Sequence, residues 1–178
     1  LTTICSSDIH IKHGAVPRAV PGVILGHEFV GVVRVLGAEA AARNPQLAVG
    51  ARVAANCITF CGDCYYCKRG FINNCEHGGW ELGCRVHGAQ QDGLVRVPFA
   101  DTGLALIPTG VSDEQALFVG DILASGYFAV AELGGVQPGD CVAVIGAGPV
   151  GLCAMQCARL RGARTVVAVD VDQWRLGL

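Results

Sequence analysis

A glycine-rich turn between two apolar segments constrains the fold of this chain more than any other feature of its sequence. CVAVI, residues 141–145, is typical of a buried strand, and the turn GAGPVG, residues 146–151, follows it directly. The pattern then becomes helical up to residue 162, and TVVAVD, residues 165–170, is typical of a second buried strand. A strand, a helix and a strand in this order predict a β-α-β unit of a parallel sheet.

The turn fits the G-x-G-x-x-G pattern in the context that dinucleotide binding requires. Gly146 would make the turn, Gly148 would let a pyrophosphate approach the backbone, and Gly151 would let the helix pack closely on the strand. Asp170 lies 19 residues beyond Gly151, close to the position of the acid that hydrogen-bonds the ribose hydroxyls. Because a carboxylate repels a 2′-phosphate, the sequence favours NAD over NADP. A glycine turn of an ordinary α/β protein is the alternative.

A second pattern, FCGDCYYCKRGFINNC over residues 60–75, holds four cysteines at short intervals. They are Cys61, Cys64, Cys67 and Cys75. Tetrahedral zinc binds thiolates at about 2.3 Å, and this spacing lets one loop supply all four. Four protein ligands leave no open position, so such a site would have a structural role. Free or disulfide-paired thiols and an iron–sulfur cluster are the alternatives.

A more dispersed set of metal-ligating residues lies nearer the N-terminus. Cys5 is followed by Ser7 and His10, and the segment GHE places His27 and Glu28 about two dozen residues along the chain. A lone cysteine or histidine is more often structural than functional. Beside a four-cysteine loop, however, this set indicates a second metal site.

The N-terminal part is predicted to be β-rich with irregular loops. β-Branched residues with glycine breaks predict short strands within 22–36, 49–55 and 94–98, with a helix or loop insertion at 38–48.

Helical periodicity then covers residues 112–133. Ser112 and Gln115 form a capping-box pattern at its start, and the glycine pair at 134–135 predicts its end.

Composition supports a folded protein with a substantial core, since 52% of the 178 residues are hydrophobic. Two domains are expected, residues 1–110 and 111–178. The net charge of −2 gives no reason to expect a nucleic acid or an acidic membrane as a partner. Without a visible signal peptide or an apolar run of about 18 residues, the ten cysteines favour a cytoplasmic setting with thiolates on metal.

These motifs, in this order, resemble the zinc-dependent medium-chain alcohol dehydrogenases over almost the whole chain. ICSSDIH, GHE and GDILASGY are similar to that family's three catalytic zinc segments, and GAGPVGL is similar to its cofactor turn. The resemblance implies a GroES-like β domain followed by the start of a Rossmann domain, in an internal fragment that lacks both ends. It also assigns Ser125, Pro149 and Val150 to the cofactor site.

The resemblance implies two zinc ions in the full-length protein, a structural one in the cysteine loop and a catalytic one on Cys5, His27 and Asp121. Many family members have a cysteine six residues before the tyrosine of a T-G-Y segment, whereas Asp121 has that place before Tyr127. A Cys–His–Asp set resembles the secondary-alcohol and formaldehyde-dehydrogenase-like branch. A helix cap or polar surface residue is the alternative for Asp121.

By the same resemblance, the enzyme would oxidise an alcohol to an aldehyde or ketone by hydride transfer to NAD. Zinc would act as a Lewis acid that lowers the pKa of the alcohol. Ser7 and His10 would carry the proton to solvent. Asp8 would fix the tautomer of His27, and Glu28 would approach the metal as an alternate ligand.

Several alternatives stay open from the sequence. A formaldehyde dehydrogenase or dismutase and a polyol or amino-alcohol dehydrogenase belong to the same family, and a non-catalytic zinc-binding module belongs to another class. The full-length protein is expected to bind a small alcohol or aldehyde and to form a homodimer or homotetramer. Residues 1–178 alone are expected to have no dehydrogenase activity.

Overall fold

The computed structural model describes residues 1–91 and 93–178. Over these residues the chain forms two compact units, Leu1–Gly120 and Asp121–Leu178. The domain division after residue 110 remains a prediction. Among the described residues, no helix combines the length and the apolar character that a membrane span needs.

An antiparallel three-stranded sheet is the framework of the first unit. Its strands are β1 (Val30–Val32), β2 (Arg52–Ala55) and β3 (Leu104–Leu106), with β2 in the centre. The central strand is buried on both faces, since Val53 lies in one apolar cluster and Ala54 in another. The short helices of this unit are α1 (Ser6–Lys12), α2 (Ala38–Arg43), α3 (Ala100–Gly103) and α4 (Asp113–Ala116).

The N-terminal segment lies antiparallel to the residues that lead into β1. Thr2 forms an isolated bridge with Phe29, and its hydroxyl donates to the carbonyl of Glu28 at 2.9 Å. The N–H of Val30 donates to the carbonyl of Leu1 at 2.9 Å. This pairing places the start of α1 beside the residues that precede β1.

The prediction of a strand at 94–98 is wrong. These residues are described and form no strand, and β3 lies further along the chain. Pro98 has no N–H to donate to a sheet, and Phe99 has a left-handed φ of 51°, so the chain turns here into α3. The prediction within 22–36 is confirmed only for β1, and that within 49–55 for β2.

The helix predicted within 38–48 is confirmed for α2, which ends at Arg43. Pro45 disfavours helical backbone at the residue before it, and Asn44 has φ −131° and ψ 85°.

The helix predicted over 112–133 is interrupted between residues 117 and 121, and α5 (Ile122–Tyr127) begins only after the break. Gly120 lies so close to β2 that a Cβ there would overlap the carbonyl oxygen of Ala55. This contact overrides the helical periodicity. The capping box of Ser112 at the start of α4 is confirmed.

The second unit contains the predicted β-α-β arrangement. After α5 the helix widens into a π-helical segment, Phe128–Leu133, which ends at Gly134 as predicted. Strands β4 (Cys141–Ile145) and β5 (Thr165–Val169) pair in parallel, and α6 (Pro149–Leu160) connects them. A short helix, α7 (Gln173–Leu176), follows. The buried core of the unit comprises Val130, Val136, Ala154, Cys157, Ala158 and Ala163.

Candidate functional site

The four cysteines of the loop converge on one point. Their sulfur atoms all lie within 4.8 Å of one another, and those of Cys61 and Cys75 are 3.7 Å apart. Four sulfurs bound at about 2.3 Å around a tetrahedral zinc would be separated by about 3.8 Å. Among the residues that the structure describes, none of the ten cysteines forms a disulfide bond. The cluster therefore fits a zinc ion by donor type and by spacing.

Backbone N–H groups donate to these sulfurs. The N–H groups of Asp63 and Cys64 donate to the Cys61 sulfur at 3.5 and 3.4 Å, and that of His77 donates to the Cys75 sulfur at 3.4 Å. Such bonds favour the thiolate over the thiol, and the thiolate is the form that binds a metal.

The thiols of the cluster also influence one another. Backbone hydrogen bonds from Cys67 and Glu76 lower the pKa of Cys64 to about 6. Burial, followed by the hydrogen bond with Cys64, raises the pKa of Cys67 to about 12. Ionisation of one thiol thus opposes ionisation of its neighbour. A bound divalent cation would remove this conflict, because it favours the thiolate at every position.

Arg43 at the end of α2 anchors the cysteine loop to the rest of the first unit. Its guanidinium donates to the carboxylate of Asp63 at 2.6 Å and to the carbonyl of Cys61 at 2.9 Å. The Nε atom lies 2.7 Å from the carboxylate of Asp101 on α3. One side chain thus connects the loop to two helices.

Replacement of Arg43 with Met is expected to loosen this anchor. The free energy of unfolding should fall only slightly, because solvent screens the ion pair between the half-exposed Arg43 and the exposed Asp63. Release of the cluster metal to a chelator should become several-fold faster. Arg69→Met is the control, because Arg69 contacts the carbonyl and the ring of Tyr65, a residue of the loop itself. Equal release rates from the two variants would show that Arg43 does not anchor the loop.

A second group of ligand atoms lies at the start of α1. Cys5, His27 and Glu28 each offer one such atom within 4.8 Å of the others. Cys5 is the N-cap of α1, and its backbone N–H donates to the carboxylate of Asp8 at 3.0 Å. The helix therefore fixes the direction in which Cys5 enters the group.

His27 is held from two sides in the interior of the first unit. Its Nδ1 lies 3.2 Å from Oδ1 of Asp8, and its Nε2 lies 3.8 Å from Oε1 of Glu28. The rings of His27 and Trp80 meet edge to face at 5.4 Å between centroids. Only 2% of each of Asp8, His27 and Glu28 is exposed. At this distance the Asp8 carboxylate favours the His27 tautomer with its proton on Nδ1, so Nε2 would be the ligand atom for a metal.

Asp8 is ionised in this position. Burial by itself would raise its pKa, but the hydrogen bonds from His27, the Cys5 backbone and Gln90 lower it below the ordinary value, with the charge of His27 contributing. A carboxylate that stays charged behind an imidazole raises the basicity of that imidazole as a metal ligand.

The remaining residues predicted for proton transfer lie on α1. The Ser7 hydroxyl is half-buried and lies 3.6 Å from the Cys5 sulfur. His10 is exposed, and at three residues from Ser7 it lies on the same side of the helix. Their roles remain predictions.

Asp121 and Ser125 belong to the second unit. Asp121 is the N-cap of α5, and its carboxylate accepts a hydrogen bond from the Ser125 hydroxyl at 3.2 Å. Its assignment as a zinc ligand and that of Ser125 to a cofactor site remain predictions.

The glycine turn has the conformation that the sequence predicts. Gly146 has φ +100°, and Gly148 is the N-cap of α6 with no atom near the place of a Cβ. A Cβ on Gly151 would overlap the carbonyl oxygen of Gly146, so the helix packs closely on the turn. Pro149 and Val150 form the first turn of α6.

Asp170 ties the end of β5 to the glycine turn. Its carboxylate accepts hydrogen bonds from the N–H of Ala147 at 2.7 Å and from the N–H of Asp172 at 2.9 Å. These two bonds, that of Asp172 first, lower the pKa of Asp170. The carboxylate therefore keeps its negative charge near neutral pH.

A cavity of about 620 Å³ lies elsewhere in the first unit. Its walls include Val20, Val23, Arg85, His87 and Arg96, and none of the residues predicted for metal or cofactor binding lines it. The candidate site is therefore defined by the ligand clusters and not by this cavity.

Sequence reasoning missed Gln90 and Arg43. Gln90 donates to Asp8 at 2.7 Å, and Arg43 holds the cysteine loop. The sequence carries no local signal for either residue, because their partners lie far away along the chain.

Comparison with known proteins identifies the family of the chain. Residues 1–105 match the alcohol dehydrogenase GroES-like domain. A probable zinc-binding alcohol dehydrogenase of Mycobacterium tuberculosis is 40% identical over 97% of this chain and 44% of its own length. The solved alcohol dehydrogenase of Thermus sp. ATN1 is 41% identical, with a TM-score of 0.88 over 99% of this chain and 50% of its own. A putative zinc-binding dehydrogenase of Sinorhizobium meliloti, solved with NADP bound, is 32% identical with a TM-score of 0.81, over 98% and 48% respectively.

The chain belongs to the alcohol dehydrogenase GroES-like family, and its relatives are zinc-type medium-chain alcohol dehydrogenases. The resemblance and the fold predicted from the sequence are thus confirmed. The chain spans about half the length of the relatives that it matches. The branch of the family stays a prediction.

Proposed function

We propose that the natural protein containing this chain is a zinc- and NAD-dependent alcohol dehydrogenase that oxidises an alcohol to an aldehyde or ketone. The buried group of Cys5, His27 and Glu28, with Asp8 beside His27, carries this proposal. A structural zinc module needs only the closed four-cysteine cluster. A second group of mixed thiol, imidazole and carboxylate donors is instead typical of a catalytic zinc with an open position.

Zinc fits the second group by donor chemistry, and we assign Cys5, His27 and Asp121 as its protein ligands. Asp121 directly follows Gly120, whose carbonyl accepts a hydrogen bond from the N–H of Cys57 at 3.1 Å. We include Asp121 because it lies in GDILASGY, six residues before Tyr127, which resembles the third catalytic zinc segment of the family.

Other side chains of the first unit then transfer the proton and orient the metal ligand. A bound zinc supplies Lewis acidity that lowers the pKa of the alcohol. Ser7, beside Cys5, would accept the hydroxyl proton as it gives up its own, and His10 would release a proton to solvent from the exposed side of α1. Asp8 keeps Nδ1 of His27 protonated, which assigns Nε2 to the metal. Glu28 offers a further carboxylate that would be an alternate ligand for the metal.

The glycine turn and Asp170 support NAD as the hydride acceptor. Gly146 and Gly148 form the phosphate-binding turn, and Pro149 and Val150 open the helix whose N-terminus faces the phosphates. Because Asp170 stays ionised, it should disfavour the 2′-phosphate of NADP. Activity with NAD should be compared with activity with NADP, because the Sinorhizobium relative was solved with NADP.

The proposal is tested by zinc content and cofactor reduction in the natural protein. We expect two zinc ions per chain after exhaustive dialysis, and one after Cys5→Ser. Loss of the catalytic zinc should lower kcat/KM for alcohol oxidation at least about 1000-fold, or about 4 kcal/mol of transition-state stabilisation. The control is Cys141→Ser, an exposed cysteine outside both clusters, which should leave both measurements unchanged.

One zinc per chain, with or without Cys5, would contradict the proposal and leave only the structural site. A higher kcat/KM with NADP than with NAD would contradict the role of Asp170 alone. Localisation in the cytoplasm and assembly as a homodimer or homotetramer remain predictions.

A further inference from the structure

We propose that Gln90 is a positioning residue that holds the second metal site together through Asp8. This inference rests on the proposed function, because it assigns Gln90 a role toward the catalytic zinc. Gln90 lies 82 residues from Asp8 along the chain, and its side-chain amide donates to Oδ2 of Asp8 at 2.7 Å. The same amide donates more weakly to the carbonyl of Thr3 at 3.4 Å, and we assign Gln90 a role that acts through Asp8.

The Asp8 carboxylate joins both protein ligands of the first unit, and Gln90 binds the oxygen that determines its orientation. Oδ2 accepts from the Cys5 backbone at 3.0 Å and from Gln90 at 2.7 Å, while Oδ1 faces Nδ1 of His27 at 3.2 Å. With Oδ2 fixed by two donors, rotation of the carboxylate is restrained. Oδ1 is then held toward Nδ1 of His27, and the hydrogen bond to Oδ2 fixes the backbone of Cys5 at the N-terminus of α1.

Backbone hydrogen bonds also fix the position of Gln90. The N–H of Gln90 donates to the carbonyl of Leu25 at 2.9 Å, and the N–H of Ala89 donates to the carbonyl of Gly26 at 3.0 Å. Residues 88–90 therefore run beside the residues that directly precede His27. The backbone of Gln90 is therefore hydrogen-bonded to the segment that carries the metal ligand His27.

This approach is possible only because Gly26 has no side chain. Gly26 has φ +103°, and a Cβ there would lie 2.8 Å from both the Cγ and the backbone nitrogen of Gln90. A Cβ on Gly88 would overlap the carbonyl oxygen of Gly26. The two glycines thus allow Gln90 to reach Asp8 from beside His27.

The test compares Gln90→Met with Gln91→Met in the natural protein. Methionine keeps much of the length of the side chain and removes the amide. The matched control is the adjacent glutamine, whose amide donates to the backbone carbonyls of Gly88 and Leu94 within the same loop. Asp8→Asn is the reference for a variant that acts directly on His27.

The readouts are the affinity of the second site for zinc, the absorption spectrum after cobalt substitution and the kcat/KM for alcohol. Gln90→Met should weaken metal binding about tenfold, the lower end of the range for residues that orient a metal ligand, because it acts through Asp8. The cobalt bands should shift in the direction seen for Asp8→Asn, and kcat/KM should fall to a similar extent. Zinc in the four-cysteine cluster should stay at one per chain. Gln90→Glu, which places a second carboxylate against Asp8, should weaken binding further.

Wild-type metal affinity and cobalt spectrum in Gln90→Met, alongside a changed Asp8→Asn, would overturn the role of Gln90 and leave the proposed function standing. Equal losses in Gln90→Met and Gln91→Met would also overturn it, because they would indicate general damage to the loop. If the wild-type protein binds no metal that depends on Cys5, the proposed function and the role of Gln90 both fail.

Discussion

Removal of the metal from the four-cysteine cluster is expected to unfold residues 60–75 and to lower the thermal stability of the whole first unit. The loop has little regular structure of its own, since its only helical turns are the 3₁₀ segments Cys67–Arg69 and Ile72–Asn74. Its buried residues are largely the cysteines themselves, with Phe60 and Phe99 packed against them. Without the metal, the contacts that remain, such as the packing of Phe60 and Phe99, are too few to offset the gain of chain entropy on unfolding.

The expected size of this effect follows from the metal chemistry. Binding of structural zinc to small peptides contributes about 10–16 kcal/mol of apparent free energy at neutral pH. In the first unit only part of this appears as stability, because Arg43 and Thr102 also hold the loop. A loss of several kcal/mol is expected, which corresponds to a fall in Tm of more than about 10 °C.

The measurement is thermal unfolding of the natural protein with and without a strong chelator, and of Cys75→Ser. Cys75→Ser should mimic chelation and should lose one zinc per chain. The matched control is again Cys141→Ser, which should retain the metal and the wild-type Tm. An unchanged Tm in Cys75→Ser, together with a lost zinc ion, would show that the loop is stable without metal and would contradict a structural role.

Replacement of Gly151 with Ala is expected to disrupt the glycine turn and to abolish dinucleotide binding. The new Cβ would overlap the carbonyl oxygen of Gly146, which is backbone and cannot move aside cheaply. Either α6 must shift away from the turn or the turn must change its conformation. Overpacking of this kind costs about 3 kcal/mol, more than the about 1 kcal/mol that alanine gains over glycine in a helix.

Gly148→Ala separates the two roles of the turn. Gly148 has φ −76°, and the place of its Cβ is open, so alanine should lower the free energy of unfolding by no more than about 1 kcal/mol, the difference between glycine and alanine at an N-cap. If the cofactor pyrophosphate approaches the backbone here, the same methyl group should weaken NAD binding about tenfold or more. Denaturant unfolding and cofactor titration of both variants provide the measurement.

Unchanged NAD affinity in a stable Gly148→Ala variant would contradict the phosphate-binding role of the turn and would favour an ordinary glycine turn. A wild-type free energy of unfolding in Gly151→Ala would contradict the close packing of α6 on Gly146. The two variants thus test cofactor binding and packing independently.

Features that depend on short distances along the chain could be predicted from the sequence. The spacing of Cys61, Cys64, Cys67 and Cys75 predicts a cluster, and the structure brings their sulfurs together. The order of strand, glycine turn, helix and strand predicts the β-α-β unit, which is confirmed. In each case a few consecutive residues carry the whole geometric requirement, so that no distant contact is needed to recognise it.

Features that depend on distant partners could not be predicted from the sequence and became apparent only in the folded chain. The helix predicted over 112–133 is interrupted because Gly120 contacts β2, and the strand predicted at 94–98 does not form because the chain turns at Phe99. The link from Gln90 to Asp8 spans 82 residues and follows no periodicity. Such contacts depend on how separate segments pack in three dimensions, and local spacing along one chain does not encode that packing.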